Sequence, residues 1–178
     1  MPIYRFVELT AQDDRAIYEM LQGIEALENG FTNEVKDMSY ALFPGWLALQ
    51  AGYAQGKGLP EGWVPQRTYW LFCDGVPVGC GRIRHPIDEA LRESAGHIGY
   101  AIACPYRVQG HGSALFGLLV AQCRVLGVHT IYVRVNRENY ASSKIVLRCG
   151  AMLRRQSAEK NFYTIPPQQR DPMEESNR

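Results

Sequence analysis

The chain has 178 residues, enough for a single domain with a proper core. Hydrophobic residues make up 46% and charged residues 21%, an ordinary balance for a globular chain. A formal net charge of +1 excludes a global field toward nucleic acid or a membrane surface, while leaving room for a local basic patch.

The opening stretch MPIYRFVELTAQDD lacks a basic start followed by an apolar run, so no signal peptide is expected. No stretch nears the roughly eighteen uninterrupted apolar residues of a spanning helix, and the expected compartment is cytoplasmic, with no membrane partner. Five cysteines (73, 80, 104, 123 and 149) make an odd number without a Cys-x-x-Cys pair. Free thiols and no metal site are the expectation.

In chain order, Ile3–Leu9 reads as a short strand. Asp13–Leu27 carries Ile17, Met20, Leu21, Ile24 and Leu27 at helical spacing, with Asn29-Gly30 as its stop. Asp37–Gln50 reads as a second helix, bent or interrupted at Pro44-Gly45. Gly52–Pro65 reads as a loop. Thr68–Cys73 and Val76–Arg84 are β-rich runs joined by Asp74-Gly75, a hairpin signal that sets Cys73 opposite Val76 and Cys80 opposite Tyr69. His85–Glu93 reads as a loop or a single helical turn, and His97–Ala103 as a strand.

The spacing predicts a helix over Ser113–Leu126, with Leu115, Leu118, Leu119, Val125 and Leu126 on one side and Gly127 as its stop. Thr130–Val135 is a strand, Tyr140–Cys149 a short helix closed by Gly150, and Ala151–Gln156 and Asn161–Ile165 two last strands. The order β-α-α-β-β-β-α-β-α-β-β makes a mixed α/β domain over residues 1–166, its middle βαβ unit needing a right-handed parallel crossover. Residues 167–178 read as a polar tail.

The run Cys104-Pro105-Tyr106-Arg107-Val108-Gln109-Gly110-His111-Gly112-Ser113 lies between a strand and an apolar helix. Gly110 and Gly112 let backbone N–H groups converge at a helix N-terminus, where orphan donors and the helix dipole favour an anion. Neither glycine has a Cβ to block phosphate oxygens, and Arg107 can add a positive charge. A ligand-free strand-to-helix turn is the plainer alternative. The run is neither a P-loop nor a dinucleotide fingerprint, which lack their Lys-Ser/Thr and third Gly here.

This run resembles the pyrophosphate loop Arg/Gln-x-x-Gly-x-Gly/Ala of the GNAT (GCN5-related N-acetyltransferase) superfamily. Tyr100-Ala101-Ile102 before it, the amphipathic helix after it, Asn139-Tyr140-Ala141-Ser142 and Cys149-Gly150 are similar too, so the likeness spans about residues 67–165. Leu59-Pro60-Glu61-Gly62-Trp63-Val64-Pro65, Arg82-x-Arg84-His85 and Gly96-His97-Ile98-Gly99-Tyr100 resemble a poorly characterised bacterial group of predicted acetyltransferases.

The resemblance implies a single-domain GNAT fold, a mostly antiparallel mixed sheet with a central splayed parallel strand pair. It implies acetyl-CoA as co-substrate, with pyrophosphate on residues 107–113 (Arg107, Val108, Gln109, Gly110, His111, Gly112 and Ser113). Its pantetheine arm would pair with the backbone of Tyr100, Ala101 and Ile102, and the Ile102 amide would sit near the thioester oxygen. Asn139 and Ser142 would hydrogen-bond the arm, although a helix N-cap is an equal role for Asn139. The implied activity is N-acetylation of a primary amine on an unidentified acceptor, small molecule or peptide, by direct attack.

One departure is clear. Many members carry a Tyr four residues before the final Gly as the acid for the leaving thiolate, and Val146 stands there. Ser142, Tyr140 or water is left to supply that proton, or the step needs no protein acid. Candidate bases are Glu89, His85 and His97, each with a plain alternative as a solvated or packed residue. Tyr69, Trp70, Trp63 and Trp46 are either pocket walls or core. A non-catalytic acyl-CoA sensor is the competing reading. A nucleotide-binding protein is disfavoured, because Val133-Arg134-Val135-Asn136 offers no acidic ribose ligand. A homodimer is left open.

Overall fold

The computed structural model describes residues 1–12 and 14–167, so the polar tail lies outside the described residues apart from Pro167. Its elements are β1 (Tyr4–Glu8), α1 (Arg15–Gln22), β2 (Leu27–Glu28), β3 (Phe31–Thr32), α2 (Phe43–Ala54), β4 (Gln66–Cys73), β5 (Val76–Arg84) and α3 (Glu89–Ser94). Then come β6 (Ile98–Ile102), α4 (His111–Val125), β7 (Ile131–Asn136), α5 (Tyr140–Arg148), β8 (Met152–Gln156) and β9 (Lys160–Ile165).

The first third of the chain departs from the sequence reading in three places. Helix α1 starts where Asp14 accepts from the Ala16 and Ile17 N–H groups, and buries Ile17, Met20 and Leu21. It ends at Gly23 rather than Leu27. Beyond it, Asn29 (φ 52°) and Gly30 (φ 82°) form the turn of a small hairpin pairing Leu27 with Thr32 and Glu28 with Phe31. Two positive φ values are what a two-residue hairpin turn demands, so Asn29-Gly30 turns strands here and stops no helix. Helix α2 begins at Phe43 with Pro44 in its first turn, where a missing N–H costs nothing. Pro44 therefore starts that helix, and its C-terminal turn absorbs the front of the expected loop.

Strands β1, β4, β5 and β6 form one antiparallel sheet in the order β1-β4-β5-β6, and β7, β9 and β8 form another in the order β7-β9-β8. The β4–β5 hairpin turns at Asp74-Gly75 and pairs Cys73 with Val76 as expected. A bulge at Leu71/Phe72 then shifts the register, so Cys80 faces Trp70 instead of Tyr69. The cysteines are free thiols.

Alternation along β4 splits the core. Tyr69 and Leu71 join a cluster under α4 that includes Ile83, Ile98, Leu115, Phe116, Leu119 and Ile131. Trp70 and Phe72 point the other way, into a cluster with Ile17, Leu21, Ile24, Phe43, Trp46 and Leu47 from α1 and α2. Helix α4 buries Phe116 and Cys123 with Leu115 and Leu119, whereas Val125, expected on the apolar side, is 77% exposed. Among the described residues no helix is long and apolar enough to cross a membrane.

The two sheets meet at one end only. Gly96 bridges Val133, and the His97 N–H donates to the Tyr132 carbonyl at 2.8 Å. A Cβ at Gly96 (φ 70°) would lie 2.4 Å from the Tyr132 oxygen, so this approach requires glycine. Past that seam β6 hydrogen-bonds β5 alone and β7 hydrogen-bonds β9 alone. Their facing edges stay unpaired, and a wedge opens between them.

Candidate functional site

Two joined cavities occupy the wedge. The larger, about 530 Å³, is lined by the β6 segment Tyr100–Ile102, the loop residues Arg107, Val108, Gly110, Gly112 and Ser113, and the start of α5. The smaller, about 120 Å³, lies toward the seam, between the tip of the β2–β3 hairpin and strands β5, β6 and β7. Glu28, Asn29, Phe31, Tyr100, Asn139 and Ser142 line both.

The larger cavity is edged by free backbone donors. Gly110, with φ 89°, caps α4 without a side-chain partner. Among the described residues, the N–H groups of Val108, Gln109, Gly110, His111 and Gly112 have no acceptor; the first amide of the helix that finds one is Ser113, on the Gly110 carbonyl. These donors gather at the positive end of a helix dipole, beside a cavity wall with room for an anion. Along β6, the Ala103 N–H donates to the Val78 carbonyl and the Arg84 N–H to the His97 carbonyl. Antiparallel alternation then turns the N–H groups of Tyr100 and Ile102 away from β5, toward the cleft.

Several side chains differ from expectation. The Arg107 guanidinium makes a paired contact with Glu28, Nη1 to Oε1 at 2.9 Å and Nη2 to Oε2 at 2.6 Å, and its Nε donates to the Ile102 carbonyl at 3.0 Å. Hydrogen bonding to Glu28 raises its pKa further. Arg107 thus braces the loop to β6 and to the hairpin, and its charge is matched by a carboxylate. His111 is buried, with Nδ1 2.8 Å from the Tyr4 hydroxyl of β1. The Gln109 amide donates to the Pro105 carbonyl, and Val108, at φ 60°, points outward. Residues 107–111 therefore offer backbone, while the Arg107, Gln109 and His111 side chains hold the loop in shape.

Asn139 is an N-cap: its Oδ1 accepts from the Ser142 N–H at 3.1 Å. The Ser142 Oγ lies 2.9 Å from the Tyr100 hydroxyl, a pair placed on the border of both cavities. Burial pushes the Tyr100 phenol up to about 12, so it is protonated at neutral pH. Val146 is fully buried in the core, and Tyr140 is 71% exposed on the outside.

The structure does not bring His85, Glu89 and His97 to this wedge. Glu89 opens α3, exposed and paired with Arg92. His85 and His97 border a separate hollow with Tyr132 and His129, on the far side of the seam. Burial, with the charges of His85 and Arg92, drives the His97 pKa down to about 4. The aromatic candidates do not line it either: Tyr69, Trp70 and Trp46 are core, and Trp63 is exposed.

What the sequence reading missed is Glu28, the sole carboxylate among the residues lining the two cavities. It missed the basic wall as well: Arg82, Arg84, Arg134 and Lys160 all line the smaller cavity. The signal that could have found Glu28 was Asn29-Gly30, read as a hairpin turn.

No curated protein matches the sequence. Many solved structures share the fold, among them the following three. The ribosomal-protein alpha-N-acetyltransferase RimL in complex with coenzyme A has a TM-score of 0.67 at 15% identity, covering 90% of this chain and 92% of that one. A ribosomal-protein-alanine acetyltransferase from Vibrio fischeri gives 0.64 at 13%, covering 97% and 100%. The Campylobacter jejuni N-acetyltransferase PseH in complex with acetyl coenzyme A gives 0.62 at 11%, covering 94% and 100%. The sequence pattern of the Acetyltransferase (GNAT) family matches residues 34–151, the stretch holding the splayed strands, the donor-rich loop and α5, and the chain belongs to that family.

Proposed function

We propose that the chain moves an acetyl group from acetyl-CoA to the amine of an acceptor, with both molecules bound in the wedge at once. The observation that carries this is the row of acceptor-free N–H groups from Val108 to Gly112, opening on a cavity that joins a second one. The pyrophosphate takes those donors. The thioester arm lies along the outward N–H groups of Tyr100 and Ile102, and the Ile102 amide stabilises the oxyanion that develops on the carbonyl.

The acceptor occupies the smaller cavity. Its amine nitrogen attacks the thioester carbon, the C–S bond breaks, and the amine proton passes to Glu28, directly or through one water. Glu28 is held for this by the two Arg107 contacts. The Tyr100 hydroxyl, paired with Ser142, gives the leaving thiolate its proton and fills the role that Val146 cannot.

The test has two parts. Acetyl-CoA at a hundred times its dissociation constant stabilises the fold by about 2.7 kcal/mol, read as a rise in melting temperature. A CoA-release assay on an amine panel then reads transfer. An unmoved melting temperature sinks the whole reading. Binding without transfer to any amine replaces the enzyme with an acyl-CoA sensor.

A further inference from the structure

The net charge of the whole chain hides a strong local imbalance. Four cationic side chains, Arg82, Arg84, Arg134 and Lys160, line the smaller cavity, against one carboxylate, Glu28, which already holds Arg107. Little neutralises them. Arg82 is 5% exposed with its charge unmatched by any carboxylate among the described residues. It stacks 4.8 Å from the Phe31 ring centroid and donates to the Thr32 carbonyl at 2.9 Å, but its buried Nε has no partner.

Arg84 makes no side-chain hydrogen bond and no ion pair among the described residues. Its guanidinium lies across Gly99, where a Cβ would sit 3.8 Å from Nη2. Burial, with the neighbouring Arg82 charge, pulls its pKa down to about 10, a sign that the protein alone leaves this cation unmatched. Arg134 has Glu93 at 4.0 Å and donates from Nη1 to the Val133 and Tyr163 carbonyls, both neutral, while its Nε is buried without a partner. Lys160 donates to the Ser94 carbonyl, a neutral group.

Buried cations of this kind are costly unless an anion joins them. Guanidinium forks are also the side chains best shaped to take a carboxylate or phosphate in a bidentate way. We propose that the smaller cavity binds an acid group of the acceptor, so that the substrates are small amines bearing a carboxylate or phosphate. This rests on the acetyl-transfer reading for its amine, but the anion site stands on its own geometry. The same wall repels a polyamine. It also lowers the pKa of a bound ammonium, favouring the free amine that must attack.

The experiment uses matched pairs: an amino acid against its amide, and phosphoethanolamine against ethanolamine, with spermidine as the opposite extreme. In the CoA-release assay the acidic member of at least one pair is preferred by tenfold or more in kcat/KM, and which pair shows the preference separates carboxylate from phosphate. Arg84→Gln raises KM for that member by roughly tenfold to a hundredfold, the loss expected for a hydrogen-bonded charge. Its CoA affinity is unchanged, because Arg84 does not line the larger cavity, and Arg84→Lys recovers part of the loss.

A second arm needs no turnover. The N-acetylated forms of the same compounds, added with CoA, raise the melting temperature of the unmodified protein when acidic and do so less in Arg84→Gln. Acidic and neutral members performing alike, or spermidine performing best, overturns the acid-group proposal and leaves acetyl transfer standing. Acidic compounds that bind while no amine is acetylated leave the anion site standing and remove the transfer reading instead.

Discussion

The two halves of the wedge are built from different materials. The half assigned to CoA offers backbone donors: a strand edge left unpaired by the splay, and a helix N-terminus whose amides find no acceptor. Its donors come from the short run between Tyr100 and Ser113, with the β2–β3 hairpin and α5 closing the walls around them. The half assigned to the acceptor is made of side chains gathered from β2, β3, β5, β6, β7 and β9. Backbone donors recognise what every acyl-CoA shares, whereas side chains from scattered elements can be exchanged one at a time. One half can stay constant while the other changes its substrate.

The sharpest way to break that comparison is at the border between the halves. Glu28→Gln removes the one carboxylate both cavities share while preserving size and a hydrogen bond to Arg107. Turnover should fall by about 10²–10⁴, the usual worth of a general base, and recover in part as rising pH frees the acceptor amine. CoA affinity should hardly move and the melting temperature should fall only modestly, because the amide oxygen still accepts from Arg107 at a site about one-third exposed. A fully active Glu28→Gln variant would return the proton to water alone.

Next in size is Gly112→Val, aimed at the backbone half. A Cβ at Gly112 meets the tip of Ile145 at 3.1 Å, a flexible neighbour that can yield, so the fold survives. The branched methyls then crowd the space before the loop amides. The dissociation constant for CoA should rise between about tenfold and a hundredfold, equivalent to losing one or two hydrogen bonds to a charged group. Normal CoA binding by this variant would move the pyrophosphate off the loop.

The same division explains how much could be read in advance. The strand, the loop and the helix that frame the larger cavity were legible because they are contiguous: a strand, Gly110, Gly112 and an apolar helix in one run. The element order was legible for the same reason, with errors where one signal had two meanings. Asn29-Gly30 after an apolar helix looks like a stop, and only tertiary packing reveals the hairpin that carries Glu28 and Phe31. Pro44 looks like a break until Phe43 is seen to begin the helix. Arg82, Arg84 and Arg134 sit in strands as ordinary alternating residues, and nothing in their spacing says that β5 and β7 converge on one cavity. The bases read from sequence do not line the wedge: His85 and His97 border the hollow across the seam, and Glu89 is exposed at the start of α3.

The smallest expected effect tests where the acceptor half ends. His97 sits at the seam itself, its Nδ1 accepting from the Tyr132 N–H at 3.0 Å and its own N–H donating to the Tyr132 carbonyl. It seals the junction of the sheets from outside the wedge. Its ordinary pKa of 6.5 in the unfolded chain falls to about 4 on folding, through burial first and then the charges of His85, Arg92 and Arg134. Below pH 6.5 the unfolded state therefore takes up a proton that the folded state refuses. Stability contributed by this site is complete above pH 6.5 and is lost between there and pH 4, by up to about 1.4 kcal/mol per pH unit. Denaturant titrations across that range should show the slope in the unmodified protein and a flatter one in His97→Gln, which has no titrating ring. The variant should be less stable at pH 7 yet turn over within about twofold of the parent, since no step in the wedge uses the imidazole. A loss on the scale of a missing base, about a hundredfold or more, would extend the acceptor half across the seam and bring His97 back into the chemistry.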